Sequence, residues 1–254
     1  MIRFASLGSG SEGNGMLVEA GDTCLLLDCG FTVKETVRRL ARLGRAPEDV
    51  TGILVTHEHG DHLSGVGPLA RRYGLPVWMT AGTASVDRVG ELPVLHLLNS
   101  HEDFTIGAVT VRPFPVPHDA REPCQFVFRH QELSLGVLTD LGSTTPWIQR
   151  MLDGVDGLVL ECNHDIAMLA SGRYPDSLKA RVGGNWGHLN NRQAAGLLAS
   201  LERNRLQHLV AAHLSRENNA PALVAEALAP VLDGYDATMT IACQDDGFGW
   251  MELD

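Results

Sequence analysis

The sequence predicts a single α/β domain over residues 1–254, with β-sheets sandwiched between layers of helices. Three observations lead to this fold class. Strand-like and helix-like segments are mixed along the chain, and no linker divides them. Strand-like runs dominate the middle of the chain, from about residue 92 to residue 139. The 254 residues, 44% of them hydrophobic, are sufficient to build one large core.

Local patterns predict the elements of the N-terminal part. Three apolar runs separated by glycine-containing turns predict strands, namely IRFASL, GMLVEA and TCLLLDCG. Apolar residues at helical spacing in TVKETVRRLARLG, followed by Gly44, predict a helix. The β-branched run VTGILVT is typical of a strand that is covered on both faces. HLSGVGPLARRYG then predicts a helix that ends at Gly74.

The same patterns predict the rest of the chain. Strands are predicted for VLHLL, AVTVRPFPV, CQFVFRH, LSLGVLTD, GLVLEC, LQHLVAAH, ATMTIAC and FGWMEL. Helices are predicted for TTPWIQRML, NNRQAAGLLASLERN and PALVAEALAPVL. In TTPWIQRML, Thr145 is the expected cap and Pro146 occupies the first turn.

The composition argues against several classes of protein. No run of 18 apolar residues is present, so no membrane span is expected, and MIRFASLGSG lacks the pattern of a secretory signal. The five cysteines are scattered without a CxxC pair, which favours a reducing cytoplasm over a disulfide framework or a zinc knuckle. The net charge of -11 argues against a general nucleic-acid-binding protein. Residues 171–192 are an exception, because four basic residues against one acidic residue give a local charge of +3.

The motif HEHGDH follows a predicted buried strand and contains four residues of metal-ligand type. His57 and His59 are two positions apart, so in an extended loop both side chains can reach one ion. Asp61 and His62 fall where the next helix begins, so they point elsewhere and suit a second ion. Neutral imidazole and carboxylate together favour Zn²⁺, Mn²⁺ or Fe²⁺ over Mg²⁺ or Ca²⁺.

Four more ligand-type residues follow strand-like runs elsewhere in the chain. They are Asp28 after CLLL, His118 after VRPFPVP, Asp140 after LGVLT and His213 after LVAA. Each is expected at an edge of a sheet, where the active sites of open α/β sheets lie. Five strand ends that deliver ligand-type side chains predict one composite metal site.

With these motifs, nearly the whole chain resembles the metallo-β-lactamase fold superfamily. The resemblance implies an αββα sandwich and two divalent metal ions, Zn or Mn, or Fe. It implies two groups of three metal ligands, namely His57, His59 and His118 for one ion, and Asp61, His62 and His213 for the other. It further implies that Asp140 bridges the two ions and that Asp28 holds the motif loop and a ligand imidazole in place.

Longer motifs resemble one branch, the YycJ or WalJ family of metallo-hydrolases. The motifs are FASLGSGSEGN, TDLG, ECNHD, GRYPDSLKARVGGNWGHLNN and AAHLSRENN. Members of this family are described as 5'-to-3' DNA exonucleases, which implies a DNA substrate. Nucleases of the β-CASP type carry a large insertion between Asp140 and His213, but here only 73 residues separate the two, filled by two predicted helices and two strands. No such insertion is therefore expected, and the active cleft should be open or covered only by loops.

The hypothesis is a phosphodiester hydrolase in which a hydroxide shared by two metals attacks phosphorus. Asp61 would orient that hydroxide, and His188, in a stretch similar to the family's GHLSN-like motif, would protonate the departing oxygen. His164 in ECNHD is a further candidate near the metals. Four residues of the segment 171–192 are candidate substrate contacts, two for phosphates and two for stacking on bases: Lys179, Arg181, Tyr174 and Trp186.

Alternative functions remain open. A small-molecule cyclic phosphodiesterase, of the phosphoribosyl cyclic phosphate type, would use the same metals, and the acidic net charge favours such a small phosphodiester. A thioester hydrolase of the glyoxalase II kind usually has a C-terminal helical substrate domain, and none is expected after residue 231. A noncatalytic interaction module is less consistent with the complete ligand set.

Overall fold

The computed structural model describes residues 1–86 and 88–254. The strands of this described part of the chain, numbered in chain order, are β1 Ile2–Gly8, β2 Gly15–Ala20, β3 Thr23–Leu27, β4 Gly52–Leu54, β5 Pro76–Thr80, β6 Val94–Leu98, β7 Phe104–Ile106, β8 Val109–Pro115, β9 Cys124–His130, β10 Leu133–Leu138, β11 Gly157–Glu161, β12 His208–Ala212, β13 Thr238–Ile241 and β14 Phe248–Leu253.

The helices lie between these strands. They are α1 Val33–Arg42, α2 Gly60–Leu63, α3 Val66–Tyr73, α4 Ala81–Ala84, α5 Pro146–Leu152, α6 Ile166–Ser171, α7 Asp176–Val182, α8 Asn191–Ser200 and α9 Pro221–Leu232, with a 3-10 turn at Pro47–Asp49. Among the described residues, no helix is long and apolar enough to cross a lipid bilayer.

The described strands form two seven-stranded sheets. The first sheet has the order β14-β1-β2-β3-β4-β5-β6 and the second has the order β13-β12-β11-β10-β9-β8-β7. Strands β3 to β6 run parallel to one another, as do β10 to β13. The carboxyl ends of β3 and β4 therefore meet at one edge, and those of β10, β11 and β12 meet at another.

Three apolar layers hold the sheets and helices together. Between the sheets, Phe4 and Val18 of the first pack in one cluster with Phe126 and Val137 of the second. The outer face of the first sheet is covered by α1 and α3. The outer face of the second sheet is covered by α5, α8 and α9. Each fully buried aliphatic or aromatic side chain in these layers contributes about 1.5–3 kcal/mol. This αββα arrangement confirms the predicted fold class.

The helix predicted after the HEHGDH motif is divided in two. Helix α2 ends at Leu63 and α3 begins at Val66, with Gly65 between them. A Cβ atom on Gly65 would lie 2.0 Å from the carbonyl oxygen of Phe31, so only glycine allows this close backbone approach. Helix α3 ends at Gly74 in the left-handed conformation, as the sequence predicted.

The region between Asp140 and His213 contains more helix than the sequence predicted. Four helices, α5 to α8, and two strands occupy it, where two helices and two strands were expected. Helices α6 and α7 have six and seven residues, which is too short for an apolar period to stand out.

Candidate metal centre

Candidate ligands and Asp28 follow the carboxyl ends of strands in both sheets. Asp28 follows β3, His57 follows β4, His118 follows β8, Asp140 follows β10 and His213 follows β12. Asp28, Asp140 and His213 have φ angles of 58°, 53° and 57°, in the left-handed region. A residue other than glycine in this region costs about 1–3 kcal/mol and is found most often at functional sites.

The first ligand group consists of His57, His59 and His118, whose ligand atoms lie within 4.8 Å of one another. Nδ1 of His118 donates to the carbonyl oxygen of Gly187 at 3.0 Å. Nε2 of His118 therefore has a free lone pair, and it lies 3.2 Å from Nδ1 of His59. Nδ1 of His57 lies 2.9 Å from the Thr56 hydroxyl, which leaves Nε2 of His57 to face the group.

The second ligand group consists of Asp61, His62 and His213, whose ligand atoms also lie within 4.8 Å of one another. Oδ2 of Asp61 lies 3.4 Å from Nε2 of His62 and 3.6 Å from Nε2 of His213. Nδ1 of His62 donates to Oδ2 of Asp28 at 2.8 Å, so its Nε2 is the nitrogen available as a ligand.

Asp140 lies between the two groups. Its Oδ2 is 3.2 Å from Nε2 of His62, its Oδ1 is 3.5 Å from Nε2 of His213, and it also groups with His57. Its side chain is 2% exposed. Burial alone would raise the pKa of this carboxyl, but the neighbouring His213 and His62 hold it well below its usual range.

Two observations indicate that these residues are suited to bind metal ions. Three buried ligand atoms have no hydrogen-bond partner in the described part of the chain: His57 Nε2, Asp140 Oδ2 and His213 Nε2. An unsatisfied buried polar group costs about 1–3 kcal/mol, and coordination to a cation would remove that cost. Burial alone would lower the pKa of His213, but Asp140, Asp61 and Glu161 raise it to about 10, so the carboxylates around the second ligand group favour positive charge there.

Asp28 contacts both the motif loop and an imidazole. Its Oδ1 accepts from the Thr56 amide at 2.8 Å, and its Oδ2 accepts from the Thr56 hydroxyl and from His62 Nδ1, each at 2.8 Å. A carboxylate in this position fixes the tautomer and the orientation of a ligand histidine.

Asp28→Asn should weaken divalent-metal binding by about 10–100-fold, because His62 loses its charged acceptor. Asparagine tolerates the left-handed backbone of this position, so the effect is not expected to arise from backbone strain. Isothermal titration of the metal-free protein with Mn²⁺ measures the change. An affinity equal to that of the wild type would contradict this role of Asp28.

The sequence did not single out Glu161, a fully buried carboxylate at the end of β11. Its Oε1 accepts a hydrogen bond from the Asp140 amide at 3.0 Å. The same oxygen lies 2.8 Å from Nδ1 of His188 and 3.2 Å from Nδ1 of His213. Its Oε2 accepts a hydrogen bond from the Leu189 amide at 2.9 Å. Burial would raise the pKa of Glu161, but His188 and His213 lower it to about 2. The signal was an acidic residue at the end of the apolar run GLVLE, the same pattern that identified Asp140.

His188 lies beside the two ligand groups. Its Nδ1 is 2.8 Å from Glu161 Oε1 and 3.7 Å from Asp140 Oδ1, and its side chain is 20% exposed. Burial would lower the pKa of His188, but Glu161 raises it above the usual value. His164 is buried and connects to the ligand His213 only through Asn163 in these hydrogen bonds. Its Nδ1 is 3.3 Å from Oδ1 of Asn163, and the Asn163 side chain donates to the carbonyl oxygen of His213.

A cavity of about 350 Å³ opens onto the ligands. Of the four predicted substrate contacts, Tyr174 and Arg181 line it, while Lys179 and Trp186 are not among the lining residues. Lys179 donates to the carbonyl of Ala170 at 2.9 Å, and Trp186 is 63% exposed. The cleft was expected to be open or covered only by loops; its lining also includes Leu178, Arg181 and Val182 of helix α7.

Arg181 is paired within this cavity. Its Nε lies 2.5 Å from Oδ2 of Asp119, and Oδ1 of Asp119 is 3.5 Å from Nε2 of His118. The pair is half-exposed and so contributes little to stability. Its effect is to hold the guanidinium at the rim of the metal centre.

Comparison with known proteins places the chain in a family. The model for the Beta-lactamase superfamily domain matches residues 23–213. Exodeoxyribonuclease YycJ of Bacillus anthracis is 36% identical over 236 residues, which cover 91% of this chain and 89% of that protein. Exodeoxyribonuclease WalJ of Streptococcus pneumoniae is 34% identical over 224 residues, which cover 86% of this chain and 83% of that protein.

Solved structures agree on the fold. The metallo-β-lactamase fold protein YhfI from Bacillus subtilis has a TM-score of 0.75 at 17% identity, covering 99% of this chain and 100% of that one. A diphosphatase from the PhnP family has a TM-score of 0.70 at 20% identity, covering 100% of this chain and 98% of that one. The sequence matches show that the chain belongs to the β-lactamase superfamily of metal-dependent hydrolases and, within it, to the family of the YycJ and WalJ exodeoxyribonucleases.

Proposed function

We propose that this enzyme is a dinuclear-metal phosphodiester hydrolase that degrades DNA from its 5' end. The observation that supports this most strongly is the position of Asp140 between two groups of three ligand residues. The names of the YycJ and WalJ relatives support DNA as the substrate.

In the proposed centre, His57, His59 and His118 hold one ion, and Asp61, His62 and His213 hold the other. Asp140, which lies between the two groups, would contact both ions. When bound, two such ions would activate a water molecule and offset charge on a phosphoryl oxygen. Asp61 has a side chain that is 23% exposed and that lines the cavity, so it can also accept a hydrogen bond from the attacking water.

The proposed proton donor is His188. Its Nδ1–H donates to Glu161, which leaves Nε2 as the nitrogen that can carry a proton to the departing oxygen. Glu161 favours the imidazolium form by its charge. A positioned general acid accelerates such a reaction by about 10²–10⁴-fold.

Arg181 and Tyr174 are the proposed contacts to the substrate inside the cavity. A guanidinium binds a phosphate through charge-assisted hydrogen bonds, and a tyrosine ring can stack on a base. Trp186 is not among the residues that line the cavity, but it is exposed next to Gly187, which does line it. We propose that Trp186 contacts a base further along the DNA strand and that Lys179 lies near the DNA phosphate backbone.

A small-molecule cyclic phosphodiesterase is the second candidate. A cavity of about 350 Å³ with Arg181 in its lining suits a compact phosphodiester, and the PhnP-family diphosphatase shares the fold. The same metal groups and the same His188 would serve either substrate.

Assays on both substrates separate the two candidates. End-labelled single- and double-stranded DNA with a 5'-phosphate, and a cyclic ribose phosphate, are incubated with the metal-free enzyme plus Zn²⁺, Mn²⁺ or Mg²⁺, with Asp140→Ala as the control. We expect the wild type to release nucleotides from the 5' end of DNA and the Asp140→Ala variant to release none. Turnover of the cyclic phosphate without DNA cleavage would overturn the proposal in favour of the second candidate.

Arg181→Ala should raise KM for DNA by about 10-fold with little change in kcat. A hydrogen bond to a charged group contributes about 1.5–3 kcal/mol, and its contribution is smaller at an exposed site such as this one. The dependence of log(kcat/KM) on log[salt] should become shallower by about one unit. Arg173→Ala, in the same segment but outside the lining residues, is the matched control. Equal effects of the two substitutions would contradict a specific role for Arg181.

A further inference from the structure

Residues 9–14, at the end of the glycine- and serine-rich N-terminal motif, lie against the second ligand group. The Ser9 hydroxyl accepts from the His213 amide at 2.9 Å. The Asn14 amide donates to the carbonyl of Asp61 at 2.7 Å. Ser11, between them, lines the cavity. The segment therefore contacts two of the three residues of that group, in each case at a main-chain atom of the ligand residue.

The Asn14 side chain adds direct contacts to the ligand atoms. It is 8% exposed. Its Nδ2 lies 3.2 Å from Asp61 Oδ2, 3.3 Å from the Asp61 carbonyl and 3.0 Å from His62 Nε2. Its Oδ1 accepts from the Gly10 amide at 2.9 Å, which fixes which way the carboxamide points.

The contact to Asp61 reaches the oxygen that faces the other ligands. Oδ2 of Asp61 is the atom that lies 3.4 Å from His62 Nε2 and 3.6 Å from His213 Nε2. Asp61 is in the first turn of the four-residue helix α2, and its side chain is 23% exposed. A neutral amide donor restrains the carboxylate without a charge that would repel a cation.

We propose that Asn14 is a positioning residue for the second ligand group, where it fixes the Asp61 carboxylate in the orientation that binds the ion. The inference rests on the proposed two-metal function. It assigns to the N-terminal motif a role in the metal centre as well as in the cavity wall. Asn14 makes no hydrogen bond to the first ligand group among the described residues, so the ion of that group should be unaffected.

Gln244 provides a matched control for the loop itself. Its Nε2 donates to the Gly13 carbonyl at 2.7 Å and its Oε1 accepts from the Glu12 amide at 2.8 Å. It therefore braces residues 12 and 13 of this segment, and its side chain makes no hydrogen bond to a candidate ligand among the described residues. Gln244→Ala should loosen the loop while the donor to Asp61 stays in place.

The test is the stoichiometry and affinity of Mn²⁺ for the full-length metal-free protein, measured by isothermal titration together with thermal unfolding of the same samples. Asn14→Ala should bind one Mn²⁺ as the wild type does and the other about 10–100-fold more weakly. Gln244→Ala should bind both Mn²⁺ ions with affinities within about twofold of those of the wild type, even if its Tm is lower.

Two results would overturn the proposal. One is Asn14→Ala with two ions bound at wild-type affinity. The other is an equal loss of metal in both variants, which would assign the effect to the loop. If Asn14→Ala does not fold, Asn14→Ser replaces it: serine can still bond locally to Gly10 but is too short to reach Asp61 Oδ2, so the same outcomes apply.

Failure of this proposal is distinguishable from failure of the proposed function. A wild type that binds two ions but does not cleave DNA would refute the exonuclease and leave the role of Asn14 intact. A wild type that cleaves DNA, together with unchanged metal binding in Asn14→Ala, would refute only the role of Asn14.

Discussion

Asp140→Asn should reduce the rate of phosphodiester hydrolysis by at least about 10³-fold, the largest effect expected of any single substitution in this chain. The carboxylate is buried between the two ligand groups, and its Oδ2 has no hydrogen-bond partner in the described part of the chain. A neutral amide would bridge two cations poorly. Stabilisation worth several kcal/mol would be lost, and each 1.36 kcal/mol is about tenfold in rate.

Asparagine is the informative substitution at this position because it keeps the shape of the side chain and tolerates the left-handed backbone, φ 53°. Mn²⁺ stoichiometry and kcat are measured on the same preparation. The matched control is Asp156→Asn, at a buried aspartate that binds the Ser134 amide and Arg205 away from the centre. That variant should lose stability but keep its rate. Retention of two ions and a normal rate in Asp140→Asn would refute a bridging role.

His188→Ala should lower kcat by about 10²–10⁴-fold while both ions stay bound. His188 belongs to neither proposed ligand group, yet it lies 3.7 Å from Asp140 and lines the cavity. The exposed His101→Ala variant serves as the control for loss of a histidine and should keep full activity. A His188→Ala enzyme with wild-type kcat would remove His188 from the proposed mechanism.

Glu161→Gln should move the pH profile in a defined direction. Glu161 raises the pKa of His188 against the effect of burial, so loss of its charge lowers that pKa. A proton donor is active below its pKa and inactive above it, so the rate should begin to fall at a lower pH in the variant. The log(kcat/KM) profile between pH 5 and about 10 measures the shift. A shift of the alkaline limb to higher pH would contradict the assigned role of Glu161.

Most of the fold could be predicted from local patterns because its long elements have clear periods. The alternation and apolar content of β8, β9 and β10, the helical spacing of apolar residues in α1 and the cap residue Thr145 of α5 identified these elements directly. The short elements could not be predicted so well. Helices α6 and α7 have six and seven residues, fewer than two turns each, so no apolar period stands out in their sequences.

The candidate ligands were accessible from the sequence because each follows a strand that is itself recognisable. Their neighbours were harder to identify. Glu161 is 27 residues from His188 and 52 residues from His213, and no local pattern links a carboxylate to imidazoles at such distances. Asn14 and Asp61 are 47 residues apart, and the glycine-rich segment between β1 and β2 reads as an ordinary turn until the fold brings the two together.

The substrate contacts show the limit of sequence reasoning most clearly. Lys179 and Arg181 lie two positions apart on α7, yet only Arg181 lines the cavity, while Lys179 donates to the Ala170 carbonyl. Charge counting over residues 171–192 could not separate them, because helix α7 was not predicted and the direction of each side chain depends on it.

Anomalous diffraction from crystals grown with Mn²⁺, recorded at the manganese edge, tests the two-metal centre most directly. Two peaks are expected, one among His57, His59 and His118 and one among Asp61, His62 and His213, with Asp140 in contact with both. A single peak, or peaks that none of these side chains contacts, would contradict the metal centre and with it the proposed hydrolysis.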